Sequence, residues 1–160
     1  MSLKTQTWSY LTFKLGKELF AINVSKVLEI LEIQPITKVP QAPAFMRGVI
    51  NLRGNILPVV DTRLRFSLTA ADFTVDTCIV VLSIQSNNEA MLLGAIVDSV
   101  QKVIDIPENL IQPSASISSY FKEDYIIGIG KVEEEFIMIL DVDKVFCTDG
   151  LLEVPAFSSN

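Results

Sequence analysis

The stretch Val49-Ile50-Asn51-Leu52-Arg53-Gly54-Asn55-Ile56-Leu57-Pro58-Val59-Val60-Asp61 governs how the rest of the chain is read. Two apolar runs of strand length flank Arg53-Gly54-Asn55, where glycine and asparagine tolerate the positive φ of a tight turn. The pattern predicts a β-hairpin. Pro58 has no N–H to give to a ladder, which points to an edge or a bulge for its strand. Just upstream, Pro40 and Pro43 bracket a rigid approach to Phe45-Met46-Arg47-Gly48.

Short apolar runs separated by turn signals recur on both sides, the pattern of a small barrel or sandwich. Residues 8–15 alternate, with Leu11, Phe13 and Leu15 on one face, and Gly16-Lys17 turns into Leu19-Phe20-Ala21-Ile22. Asn87-Asn88 is expected to turn between runs at 78–84 and 91–97, and Glu133-Glu134-Glu135 between runs at 126–132 and 136–142. One helix is expected near 24–31, because Val24, Val27, Ile30 and Leu31 recur at helical spacing behind Asn23 or Ser25 as N-cap. The polar stretch 67–77 reads as a surface connection between two halves. The class is mainly β, with a few short helices.

An internal repeat supports two halves. Val24-x-x-Val27-x-x-Ile30-Leu31-x-Ile33 matches Val97-x-x-Val100-x-x-Val103-Ile104-x-Ile106 at a constant offset, and Pro40 falls opposite Pro113. Gly48 precedes Asp61 by the interval that separates Gly128 from Asp141. Self-similarity on this scale points to two related small barrels.

Composition narrows the function. About half of the 160 residues are apolar and a fifth are charged, as in a folded domain. A formal net charge of -6 with no basic stripe argues against nucleic acid, including an oligonucleotide-binding barrel. Histidine is absent, which removes every triad or metal site that requires it. No apolar run approaches the roughly 20 residues of a membrane helix, and Met1-Ser2-Leu3-Lys4-Thr5 lacks the apolar stretch of a signal peptide. No direct membrane insertion and a cytoplasmic location are therefore expected. Cys78, within Cys78-Ile79-Val80-Val81-Leu82, reads as a small buried hydrophobe rather than half of a disulfide with Cys147.

Catalytic candidates are few. Asp141 and Asp143 flank Val142 at the end of a run, and such a pair could hold magnesium for a hydrolase or act as acid and base. The same residues better suit a cap on the turn that follows. No phosphate-binding glycine loop and no Gly-x-Ser-x-Gly elbow occurs, so no enzyme and no cofactor are expected. Arg53, a guanidinium at an exposed turn, suits a docking surface instead.

The run Pro40-Gln41-Ala42-Pro43-Ala44-Phe45-Met46-Arg47 and the hairpin that follows resemble the CheW-type coupling proteins, with Gly-Val-Ile-Asn-Leu-Arg-Gly and Pro-Val-x-Asp elements. Phe20-Ala21-Ile22, Val24-x-x-Val27-x-Glu29-Ile30, Gly94-x-x-Val97-Asp98-x-Val100 and Ile137-x-Ile139-Leu140-Asp141 extend the resemblance from about Tyr10 to Phe146. Thr62 departs from it, standing where the family usually has leucine. The resemblance implies one CheW-like domain over 1–160, made of two five-stranded SH3-like β-barrels. The first barrel would cover 16–84, the second 1–15 plus 85–147, and a tail 148–160. It implies a non-catalytic adaptor, recruited to membrane-associated arrays, that joins a chemoreceptor's cytoplasmic tip to the regulatory domain of a CheA-type histidine kinase. The receptor would meet Leu11, Val24, Val27, Glu29, Ile30, Val97 and Val100. The kinase would meet Gly48, Asn51, Arg53, Gly54 and Leu57. Chemotaxis and other chemosensory systems, such as twitching motility, use similar chains.

Overall fold

The computed structural model describes residues 6–86, 88–113 and 125–146. Strands β1 (Thr7–Leu15) and β2 (Glu18–Asn23) form a hairpin about Gly16, and a 3-10 turn (Val24–Lys26) leads to β3 (Val27–Glu32). The quoted hairpin is β4 (Met46–Leu52) and β5 (Asn55–Asp61), followed by a one-turn helix α1 (Thr62–Arg65). Then come β6 (Cys78–Ser86), β7 (Glu89–Val97), β8 (Ser99–Pro107), β9 (Ile111–Pro113), β10 (Ile126–Val132), β11 (Glu135–Leu140) and a second one-turn helix α2 (Val142–Val145).

Among the described residues these strands make two sheets, in the orders β8-β1-β2-β11-β10-β9 and β3-β6-β7-β5-β4. The orders superpose strand for strand: β3 answers to β8, β6 to β1, β7 to β2, β5 to β11 and β4 to β10. In each sheet one parallel contact, β5 with β7 and β11 with β2, joins two antiparallel groups. Asp61 and Asp141 then accept N–H bonds from the first turns of α1 and α2, the capping role read for Asp141. The repeat in the sequence is thus a structural repeat.

The division between the halves differs from the boundaries drawn at 15/16 and 84/85. β2 stays with β1 in the first sheet and β7 stays with β6 in the second, because each is the antiparallel return of its hairpin. The chain crosses between sheets only briefly, at Val24–Lys26 and at Asp98. Residues 67–77 consequently connect α1 to β6 within one half, and do not bridge the two. Pro58 also sits in an interior strand, where β7 begins to pair only at Val59, so the missing N–H breaks no pairing with β7.

The helix expected near 24–31 is a 3-10 turn and a strand. A β-bulge between Val27 and Glu29 places Val27 opposite Leu82 and Ile30 opposite Val80, so residues three apart share one face. That spacing imitates a helix. The counterpart bulge sets Val100 opposite Phe13 and Val103 opposite Leu11, and Thr12 Oγ1 fills it by donating to Lys102 C=O (2.8 Å) and accepting from Lys102 N–H (3.1 Å).

Each half curls around its own small core: Ile50, Leu57, Val59, Ile79, Val81 and Ile96 in one, Tyr10, Ala21, Ile106, Ile137 and Ile139 in the other. The largest cluster lies between them and takes Leu11, Phe13, Phe20 and Leu140 from one sheet and Val60, Val80, Leu82 and Leu93 from the other. Arg65 pins the junction by donating to Val145 C=O (2.7 Å) while its guanidinium lies over the rings of Phe45 and Tyr125. The shared cluster holds more buried residues than either small core, so parting the halves would uncover the larger apolar cluster.

Candidate docking surfaces

At the tip of the β4–β5 hairpin the positive φ angles fall on Arg53 (51°) and Gly54 (87°), not on Asn55, which opens β5. Asn51 supports the turn from the side, its Oδ1 accepting the Gly54 N–H at 2.7 Å. Arg53 then reaches across to β3, where both terminal guanidinium nitrogens bond Glu29, Nη1 to Oε2 and Nη2 to Oε1, at 2.7 Å each. β3 and β4 are the two edges of their sheet, so this fork closes a barrel. The bond to Arg53 holds the Glu29 carboxyl below the usual carboxylate range and raises Arg53 in turn.

The other half repeats the closure with opposite polarity and looser geometry. Lys102 of β8 meets Glu133 of the β10–β11 turn at 3.8 Å. Glu133 and Glu134 carry that turn with positive φ, whereas Glu135 already belongs to β11.

Of the residues expected to meet the kinase, Asn51, Arg53 and Gly54 are exposed at the tip. The other two lie beneath it: Gly48 is buried against the Thr37 backbone and Leu57 is 2% exposed. Alternation along β5 turns Leu57 inward and Ile56 outward. Exposed Leu28, Ile56 and Leu92 accompany the Arg53–Glu29 fork around a shallow depression of about 310 Å³. These three were missed, although the alternation of Ile56 with Leu57 was legible.

The residues expected to meet the receptor gather at the junction. Val24, Val27 and Val100 pack half-buried against the inter-sheet core, and Ile30 on the same face is 45% exposed. Leu11 and Val97 lie in the inter-sheet core beneath these residues, at 4% and 1% exposure, because β1 and β7 are interior strands. Val103 is the residue that the expected set omitted. It is 57% exposed, shares a face with Val100, and stands opposite Ile30 in the repeat. Two stiff rows result, Val24-Val27-Ile30 and Val97-Val100-Val103, rooted in one core. Glu29 lies on the other face of β3, with the fork.

Asp141 and Asp143 do not converge on an open site. Asp141 Oδ1 accepts the N–H groups of Asp143 and Lys144, and Asp143 pairs with Lys26 at 3.0 Å. Among the described residues no three or more His, Cys, Asp or Glu side chains group to hold a metal, and no helix is long and apolar enough to cross a membrane. Cys78 is half-buried, and a link to Cys147 lies outside the described residues.

Comparison with known proteins gives one consistent picture. The profile described as CheW-like domain matches residues 9–149. The chain is 35% identical to the chemotaxis protein CheW of Rhizobium meliloti over 136 residues, 85% of each chain. It is 33% identical to that of Bacillus subtilis over 130 residues, 81% of this chain and 80% of the other. Protein PilI of Pseudomonas aeruginosa matches over 56 residues at 34% identity, 35% of this chain and 32% of its own. Among solved structures, the scaffolding protein TtCheW from Thermoanaerobacter tengcongensis superposes with a TM-score of 0.78 at 31% identity, covering 91% of this chain and 96% of that one.

Proposed function

This chain belongs to the CheW-like domain family, and from that premise we propose that it is a non-catalytic adaptor joining a chemoreceptor's cytoplasmic tip to the regulatory domain of a CheA-type histidine kinase. The observation that carries the reading is the pair of partly uncovered apolar rows at the junction, beside a separate polar hairpin tip on the same rigid body. A helical receptor tip could lay its apolar stripe against Val24, Val27, Ile30, Val100 and Val103, with Leu11 and Val97 supporting them from beneath. The kinase would use the exposed tip at Asn51, Arg53 and Gly54, with Leu28, Ile56 and Leu92 as its apolar neighbours. Two surfaces held on one body turn the second encounter into a nearly intramolecular one, so modest affinities suffice for assembly at the membrane.

Co-sedimentation tests it. The unsubstituted chain should bring a CheA-type kinase down with receptor-containing membranes. Val27→Asp should lose the receptor and keep the kinase, whereas Arg53→Glu should do the reverse, with circular dichroism unchanged in both. If both variants sediment as before, the docking surfaces lie elsewhere. A second reading, implied by the family resemblance alone, is service in a chemosensory system other than chemotaxis, such as twitching motility. Supplying kinases from the two kinds of pathway in parallel separates them.

A further inference from the structure

The two crossings that carry the apolar rows are anchored by ion pairs of one architecture. At the first, Arg63 of α1 grips Asp98 with two bonds, Nε to Oδ1 at 2.8 Å and Nη2 to Oδ2 at 2.6 Å. Asp98 Oδ2 also accepts the Gly16 N–H from the β1–β2 turn at 2.6 Å. At the second, Lys26 Nζ lies 3.0 Å and 3.4 Å from the two oxygens of Asp143 on α2, and Asp143 Oδ1 accepts the Gln85 N–H of β6 at 2.8 Å.

In both cases a helix behind the parallel strand, a crossing and a hairpin of the opposite half meet at one carboxylate. The sites correspond under the repeat, but the charges are exchanged: the acid is on the crossing at Asp98 and on the helix at Asp143. Asp98 sits between Val97 and Val100, and Lys26 between Val24 and Val27. Each pair therefore ties one row to both sheets. All four side chains are 21–32% exposed, so solvent screens them and their contribution to folding is small. β-branched rows cannot adapt by changing rotamer, which makes their separation matter for a partner that must touch both.

We propose that Arg63–Asp98 and Lys26–Asp143 are positioning pairs that hold the two apolar rows at the separation the receptor requires, an inference that rests on the receptor reading above. The test titrates the full-length chain with a soluble chemoreceptor cytoplasmic-tip fragment and, separately, with a CheA-type regulatory domain. Variants are Arg63→Gln, Asp98→Asn, the two together, Lys26→Gln, and Val27→Asp as reference. Asp98→Asn keeps an acceptor for Gly16.

Each single pair variant should weaken receptor binding about fivefold to tenfold, while kinase affinity stays at the unsubstituted value. The Arg63→Gln, Asp98→Asn double should lose no more than either single, as a coupled pair requires. Receptor affinity unchanged in the pair variants but lost in Val27→Asp overturns the positioning role and leaves the receptor site standing. Receptor affinity unchanged in Val27→Asp too removes the receptor reading and the inference with it. Equal losses toward both partners would mean general loosening, and would also overturn it.

Discussion

Thr62→Val should stabilise this protein. Thr62 is 1% exposed, and its Oγ1 finds no hydrogen-bond partner among the described residues. It borders a narrow cavity of about 10 Å³ among Phe13, Val80, Leu82, Val97, Leu140 and Phe146, in the middle of the inter-sheet core. An unpaired buried hydroxyl costs about 1–3 kcal/mol. Valine keeps the branched shape, so most of the gain should survive as about 1 kcal/mol. Structural precedent lies within the chain itself, since Val142 holds the corresponding position after Asp141 and is 3% exposed. With a urea slope of about 2 kcal/mol/M, the midpoint should rise by about 0.5 M, and the melting temperature by about 2–4 °C. Urea melts followed by far-UV circular dichroism measure this, with Thr62→Ser as companion. Serine keeps the hydroxyl and drops a methyl, and should lose about 1 kcal/mol. A midpoint for Thr62→Val at or below that of the unsubstituted chain would show that the hydroxyl is satisfied, and the argument from its isolation would fail.

Gly48→Ala should cost at least about 2–3 kcal/mol, because φ is +145° and an added Cβ would collide with the Thr37 carbonyl oxygen. Gly54→Ala, at φ +87° with open space around it, should cost only about 1 kcal/mol. Equal urea midpoints for the two would contradict the packing described at Gly48. The bond to Arg63 holds the Asp98 carboxyl below its usual range, so its stabilisation is complete above the ordinary aspartate pKa and fades as pH falls through the lower folded-state value. Thermal melts of Asp98→Asn should accordingly show a shallower loss below about pH 4 than the unsubstituted chain, and parallel acid limbs would refute it. Burial raises the Cys78 thiol. In a Cys147→Ser background it should react slowly with an aromatic disulfide at neutral pH and quickly once urea unfolds the chain, whereas fast reaction in the native state would contradict its shielding.

The hairpin at 49–61, the turn at Gly16, the cap at Asp141 and the family motif are legible because each depends on residues a few positions apart. Alternation and turn chemistry act over that distance. The repeat is equally legible, and it places Val103 opposite Ile30. Its local meaning is not. Spacing of three reads as a helix, and only pairing with β6 and β1 reveals a bulge that gives a strand the same spacing.

Amino-acid order alone therefore determined a β-rich, twofold-repeated CheW-like domain with its hairpin tip at Arg53. Tertiary structure decided which valines stay uncovered, that Leu11 and Val97 sink beneath them, and that Thr62 is stranded in the shared core. It also decided the pairing of Arg63 with Asp98 and of Lys26 with Asp143, partners 35 and 117 positions apart. Such contacts form because the parallel pairing of β5 with β7 and of β11 with β2 brings each one-turn helix beside the crossing that follows the partner strand. Burial and charge pairing follow distance in space, which a local pattern does not encode.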